Sequence, residues 1–183
     1  MDDQKPILQI FLLEDNKLKE EQVKRIAFRD QIIYLTLGIF GGILSFALSN
    51  KTNFYALLVI PWICLILGWT YLVNDEKISA IGKYIRLTLT EKIKAQIGDT
   101  NIESIFGWEI FHRSDERRRR RKIEQLIIDE ITFVFSGLVA LFTFWFIDTN
   151  LPSIIHVLCI FELILLIILG IEIIIHADFA KGQ

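Results

Sequence analysis

The 183-residue chain has few of the residues and none of the patterns that catalysis and metal binding usually need. Its two cysteines, Cys64 and Cys159, both lie inside apolar runs. There they behave as small hydrophobes, and neither a disulfide framework nor a paired-cysteine metal site is implied. Its three histidines, His112, His156 and His176, are far apart. There is no glycine-rich phosphate loop, no HExxH and no GxSxG. The expectation is therefore a protein that is not an enzyme and needs no cofactor. The formal net charge is only −2, so no global field steers the chain toward nucleic acid. The acidic start, Asp2 and Asp3, is followed by no short apolar core with a small-residue cleavage site, so no cleavable signal peptide is expected.

What is abundant is apolar residues, 52% of the chain, against about 45–50% in an ordinary soluble domain. The excess is gathered into four runs, near 32–49, 54–73, 131–147 and 153–175. A run of eighteen residues rises about 27 Å as a helix, close to the ~30 Å of a hydrocarbon core. The expected fold class is an all-α integral membrane protein, with four transmembrane helices arranged as two hairpins and helical cytoplasmic extensions. The chain divides accordingly into an N-terminal helix (1–31), a first hairpin (32–73), a charged helical segment (74–130), a second hairpin (131–175) and a tail (176–183). Asn50 to Asn53 and Asp148 to Pro152 are the hairpin turns. Pro61, inside the second run, removes a backbone donor and predicts a kink there. In the charged segment Ile78, Ile81, Ile85 and Leu89 fall on one helical face. Thr100 and Glu103 have capping-box spacing ahead of a short aromatic helix.

Charge sets the orientation. Of the 20 Lys and Arg, 6 precede the first run, 12 lie between the second and third, 1 is in the tail, and only Lys51 falls in a hairpin turn. By the positive-inside rule both termini and the 74–130 segment are cytoplasmic, which for a bacterial chain means the inner membrane.

Four features are candidates for function. Glu162 lies nine residues into the fourth run, about 13 Å deep by helical rise. A carboxyl there costs about 2.5–3.5 kcal/mol on insertion scales, so it should face protein or water. It reads either as a polar-path or proton site, or as a structural carboxyl bonded to a neighbouring helix, with Ser45 or Thr143 as donor. His156 precedes it by six residues on a slowly drifting stripe through Cys159, which together make a poor zinc set. Gly38, Gly42 and Ser45 line one side of the first run with small-xxx-small spacing, the pattern that lets membrane helices approach closely. Arg117, Arg118, Arg119, Arg120 and Arg121 are five consecutive arginines, which spread around a helix rather than forming one face. They read as an orientation signal touching anionic lipid, or as a site for a polyanion such as a nucleotide or RNA, with Trp108 near enough in sequence to stack on a base. Glu172 and His176, four residues apart, suggest an interfacial pair.

Two stretches carry a resemblance. Gly68-Trp69-Thr70-Tyr71-Leu72-Val73-Asn74-Asp75-Glu76-Lys77-Ile78-Ser79-Ala80-Ile81-Gly82-Lys83-Tyr84-Ile85-Arg86 and Gly107-Trp108-Glu109-Ile110-Phe111-His112-Arg113-Ser114-Asp115-Glu116-Arg117 resemble small bacterial four-span integral membrane proteins of the kind found in phage-defence and CRISPR-associated operons. The likeness is one of architecture, so it transfers no functional residue. It implies an oligomeric inner-membrane effector that perturbs or permeabilises the bilayer under control of its cytoplasmic loop. The partners it implies are lipid, further copies of the chain, and a soluble protein from the same operon. The alternatives are a non-catalytic scaffold recruiting such a partner, and a small ion channel or transporter. The topology is directly testable: reporter fusions at residues 1, 100 and 183 should all report the cytoplasm. Replacing Arg117–Arg121 with Gln should leave a fraction of chains inverted if these residues hold the orientation. Unchanged reporters would assign the cluster to binding instead.

Overall fold

A computed structural model describes residues 4–97, 117–147 and 152–177. Every element among these residues is helical: α1 (Gln4–Ser49), a 3-10 segment (Lys51–Leu58), α2 (Val59–Tyr84), a π turn (Ile85–Leu89), α3 (Thr90–Ile97), α4 (Arg118–Asp129), a second π turn (Glu130–Phe135), α5 (Ser136–Ile147) and α6 (Ser153–His176). Among the described residues four helical stretches are long and apolar enough to cross a membrane: Pro6–Ser49, Asn53–Ile97, Arg119–Ile147 and Ser153–His176. The all-helical expectation and its four long apolar helices therefore stand.

The local chemistry explains where the helices begin and end. At the close of α1 the Ser49 hydroxyl and the Asn53 amide both donate to the Phe46 carbonyl, at 2.7 and 3.4 Å. They satisfy an acceptor that the last turn leaves open. The 3-10 segment that follows moves the start of the α-geometry to Val59. Pro61 therefore falls in the first turn of α2 and not in a helix interior, where its missing donor would break the ladder. Pro152 stands at the N-cap of α6, and its carbonyl accepts from the Ile155 and His156 amides at 2.9 and 3.3 Å.

Each π turn is closed in the same way. The residue after it, Thr90 or Ser136, sends both its backbone N–H and its hydroxyl to the carbonyl five residues back, Ile85 or Ile131. A wider turn rotates the following residues back around the axis. Ile85, Leu89 and Ile93, spaced by four, lie on one buried face.

The chain forms two units. The first lies within Met1–Arg29 and Asn74–Arg120, the second within Asp30–Val73 and Arg121–Phe179. The first has a small core of Ile85, Leu89 and Ile93, against which Leu8, Phe11 and Leu18 of α1 pack. Leu8 and Phe11 thus turn inward at the start of α1, while Ile7, Ile10, Leu12 and Leu13 are exposed. Polar contacts cover this core. The Tyr84 hydroxyl donates to Glu14 at 2.7 Å, and Lys92 lies over the Tyr84 and Phe11 rings. Arg29 pairs with Asp75 at 3.1 Å, and Asn74 donates to the Arg25 carbonyl at 2.8 Å.

The second unit holds the larger core, centred on Ile60, Cys64, Tyr71, Phe133, Phe144, Leu166 and Leu169. Gln125 donates to the buried Tyr71 hydroxyl at 2.9 Å, and the Tyr71 and Phe133 rings meet at 5.1 Å. Three glycines set the helix spacing. A Cβ on Gly68 would stand 2.7 Å from Leu169, one on Gly137 2.9 Å from Leu166, and one on Gly170 3.3 Å from a Glu130 oxygen. Outside this core the surface is apolar, with Phe146 85% exposed and Ile154 78%. A soluble monomer does not carry apolar surface on this scale.

Gly137→Val should destabilise the folded protein by about 1–3 kcal/mol through overpacking. Gly38→Val, where an added Cβ meets nothing, should leave it unchanged. Thermal unfolding in detergent, followed by circular dichroism, compares the two.

Candidate functional site

Apolar helices can carry hydroxyls at little cost, because a hydroxyl can bond to its own helix. Thr36 donates to Ile32 O and Thr70 to Ile66 O, both at 2.8 Å. A carboxylate has only acceptors and has no such local partner. Glu162 is therefore the exceptional residue of the second unit. It sits on the buried face of α6 with Cys159, Leu166, Leu169 and Ile173, and its exposure is 0%. Neither of its oxygens has a hydrogen-bond partner among the described residues. Ser45 and Thr143, the donors proposed from sequence, do not reach it. The Trp62 indole and the Cys159 thiol flank it, with Trp62 outside hydrogen-bond geometry and its ring 6.2 Å from that of Phe161.

The other candidates distribute differently. His156 is exposed, in the first turn of α6 next to Pro152, so the structure does not bring it to Glu162. Six residues of helix turn the two side chains to different faces. Gly38, Gly42 and Ser45 are exposed, and Cβ atoms built on Gly38, Gly41 and Gly42 meet nothing within 4 Å. The glycines on the small-residue face of α1 thus pack against none of the described residues. An apolar hollow of about 300 Å³ adjoins it, lined by Gly42, Ile43, Phe46, Ala56 and Val59. Arg119, Arg120 and Arg121 are exposed at the start of α4, directly before the residues that enter the core. The side chain of Arg118, and Trp108, Thr100 and Glu103, lie outside the described residues. Glu172 and His176 pair as the spacing suggested, at 3.5 Å. Among the described residues no group of three His, Cys, Asp or Glu side chains could hold a metal.

Sequence reasoning missed Glu130, Trp145 and Gly170. By sequence Glu130 belongs to the charged segment, yet one of its carboxylate oxygens is buried without a partner among the described residues and the other lies 3.3 Å from the Cβ position of Gly170. The Trp145 indole nitrogen is likewise buried and unpartnered among the described residues. The available signal was position: Glu130 abuts the third apolar run, within reach of its helix packing.

No family model, curated protein or solved structure matches the chain.

A buried carboxyl with no partner is a stability cost that packing does not require. Glu162→Leu should therefore raise the unfolding temperature in detergent by several degrees. A fall would mean that a donor or ion stabilises the carboxyl in the folded protein.

Proposed function

We propose that the chain is a multi-pass membrane protein of the bacterial inner membrane. Its four long apolar helices cross as two hairpins, with both termini and the 74–130 segment in the cytoplasm. In this reading it is a membrane-perturbing effector, controlled through the charged cytoplasmic part and assembled from several copies. The observation that carries the reading is Glu162. A protein whose only task is to hold a partner at the membrane has no use for an uncompensated carboxyl in its apolar core, and intramembrane ionisable residues commonly serve ion or proton movement. The unfilled Gly38, Gly42 and Ser45 face supports assembly, because small residues are what membrane helices use to meet each other. An antiviral setting enters through the resemblance of 68–86 and 107–117, and the exposed Arg119–Arg121 supply a receiver for an anionic trigger, a nucleotide or RNA included.

The scaffold reading has its own support. The first unit carries a separate small core tied by Tyr84–Glu14 and Arg29–Asp75, an ordered surface to which a soluble partner could bind.

Membrane potential in expressing cells separates the two. The effector should depolarise the membrane when its trigger or a neighbouring gene product is present, and Glu162→Gln should abolish this at unchanged expression. A potential that holds under every condition, with a soluble protein co-purifying through the cytoplasmic part, assigns the chain to scaffolding.

A further inference from the structure

Three carboxyls of the second unit have buried oxygens, those of Glu162, Glu130 and Asp129, and the packing of α6 orders the first two. Along α6, Glu162, Leu166 and Gly170 are spaced by four and are all buried, so they share one face. The continuous helical stretch from α4 through the π turn into α5 runs antiparallel to this face. Gly137 meets Leu166, and Glu130, seven residues earlier, meets Gly170. Glu130 therefore lies at the level of Gly170, the Gly137–Leu166 contact lies one turn along, and Glu162 lies one turn further. Eight residues of helix separate the two levels by about 12 Å. The contact between them is close, with both Leu166 methyls at 2.9 Å from the Cβ position of Gly137. The Trp145 nitrogen, eight residues after Gly137 on the same helical stretch, is also buried and unpartnered among the described residues.

We propose that Glu130 and Glu162 are two stations of a proton path through the interior of a single chain, closed at rest by Leu166 seated on Gly137. The inference rests on the effector reading and names what crosses: protons, carried within one protomer and not through an opening between protomers. The chemistry follows from the layout. A carboxyl O–H of Glu130 gives its proton to water, and the proton passes along a short water chain to the carboxylate of Glu162. Glu130 is left ionised until it is protonated again from its own side, and Glu162, now protonated, gives its proton to water on the far side and returns to the carboxylate. No electron moves and no other bond is made or broken. The ~12 Å gap is too long for direct transfer, so water must enter it, and an apolar constriction keeps water out until it opens. Leu166 is that constriction. Ser136, at the end of the π turn between the two levels, has its hydroxyl already bonded to Ile131 O, so its lone pairs remain to accept from entering water. A π turn on a helix that lines a path is a recurrent functional feature.

Proton flux into liposomes, driven by a potassium diffusion potential and read by a trapped pH-sensitive dye, tests this on the full-length purified protein. Leu166→Ala should raise flux at least about tenfold over wild type by removing the constriction. Adding Glu162→Gln to Leu166→Ala should return it to the level of empty liposomes, and Glu130→Gln should lower it. A hydrophobic carbodiimide should label Glu162 and block flux in the unmutated Glu162 background, which does not depend on a variant's folding. Flux in Leu166→Ala that ignores both Glu162→Gln and the carbodiimide overturns the proposal, as does Leu166→Ala protein that folds and conducts nothing. Cell depolarisation with release of a large trapped dye, still abolished by Glu162→Gln, would overturn the single-chain proton path while leaving the effector reading intact. Glu162-dependent flux in liposomes without any depolarisation in cells would keep the path and remove the effector reading.

Discussion

The close approach of α6 to its neighbours is the constraint on which the second unit depends. Apolar helices approach closely through van der Waals contact and through small residues that permit it. Gly68, Gly137 and Gly170 supply the room, and Leu169, Leu166 and Val134 fill it. These contacts fix the rotation of α6, and that rotation decides which of its residues are inside. With Leu166 and Leu169 turned inward, Cys159, Glu162 and Ile173 follow, whereas His156, Phe161 and Ile164 face out. Glu162 is buried because its neighbours one turn away on either side, Cys159 and Leu166, are packed.

That origin separates two kinds of polar group in the same core. Thr36, Thr70 and Ser136 satisfy their hydroxyls on their own helices and fit an apolar setting without further help. The Tyr71 hydroxyl is met by Gln125. Glu162 and one oxygen of Glu130 are met by nothing among the described residues. Packing alone does not call for such groups, and their place two turns apart along one helix interface is the physical basis for proposing a role for them.

The small-residue signal shows where pattern reading reaches its limit. Gly38-x-x-x-Gly42 was the conspicuous motif, yet that face is left open by its own chain. The glycines that pack the chain, Gly68, Gly137 and Gly170, lie alone in three separate runs and form no motif. A spacing rule detects a stripe on one helix. Whether the stripe meets an intrachain neighbour depends on how helices distant in sequence are rotated, which no local pattern records. Glu130 eluded the sequence for the same reason: it was grouped with the charges on its N-terminal side, and only its contact with Gly170 shows that it turns inward.

Composition alone determined that the chain is helical, that it carries four helices long enough for a bilayer, and where its charge is concentrated, because helix length and apolar run length are properties of contiguous residues. It also marked Glu162 as costly, since depth in an apolar run can be counted. Tertiary structure alone decided that Glu162 meets no donor among the described residues, that His156 stands apart from it, and that Glu130 lies two turns along the same interface with Leu166 between. Each of those facts depends on the rotation and approach of helices that the sequence places far apart, set by side-chain volumes meeting across their interfaces.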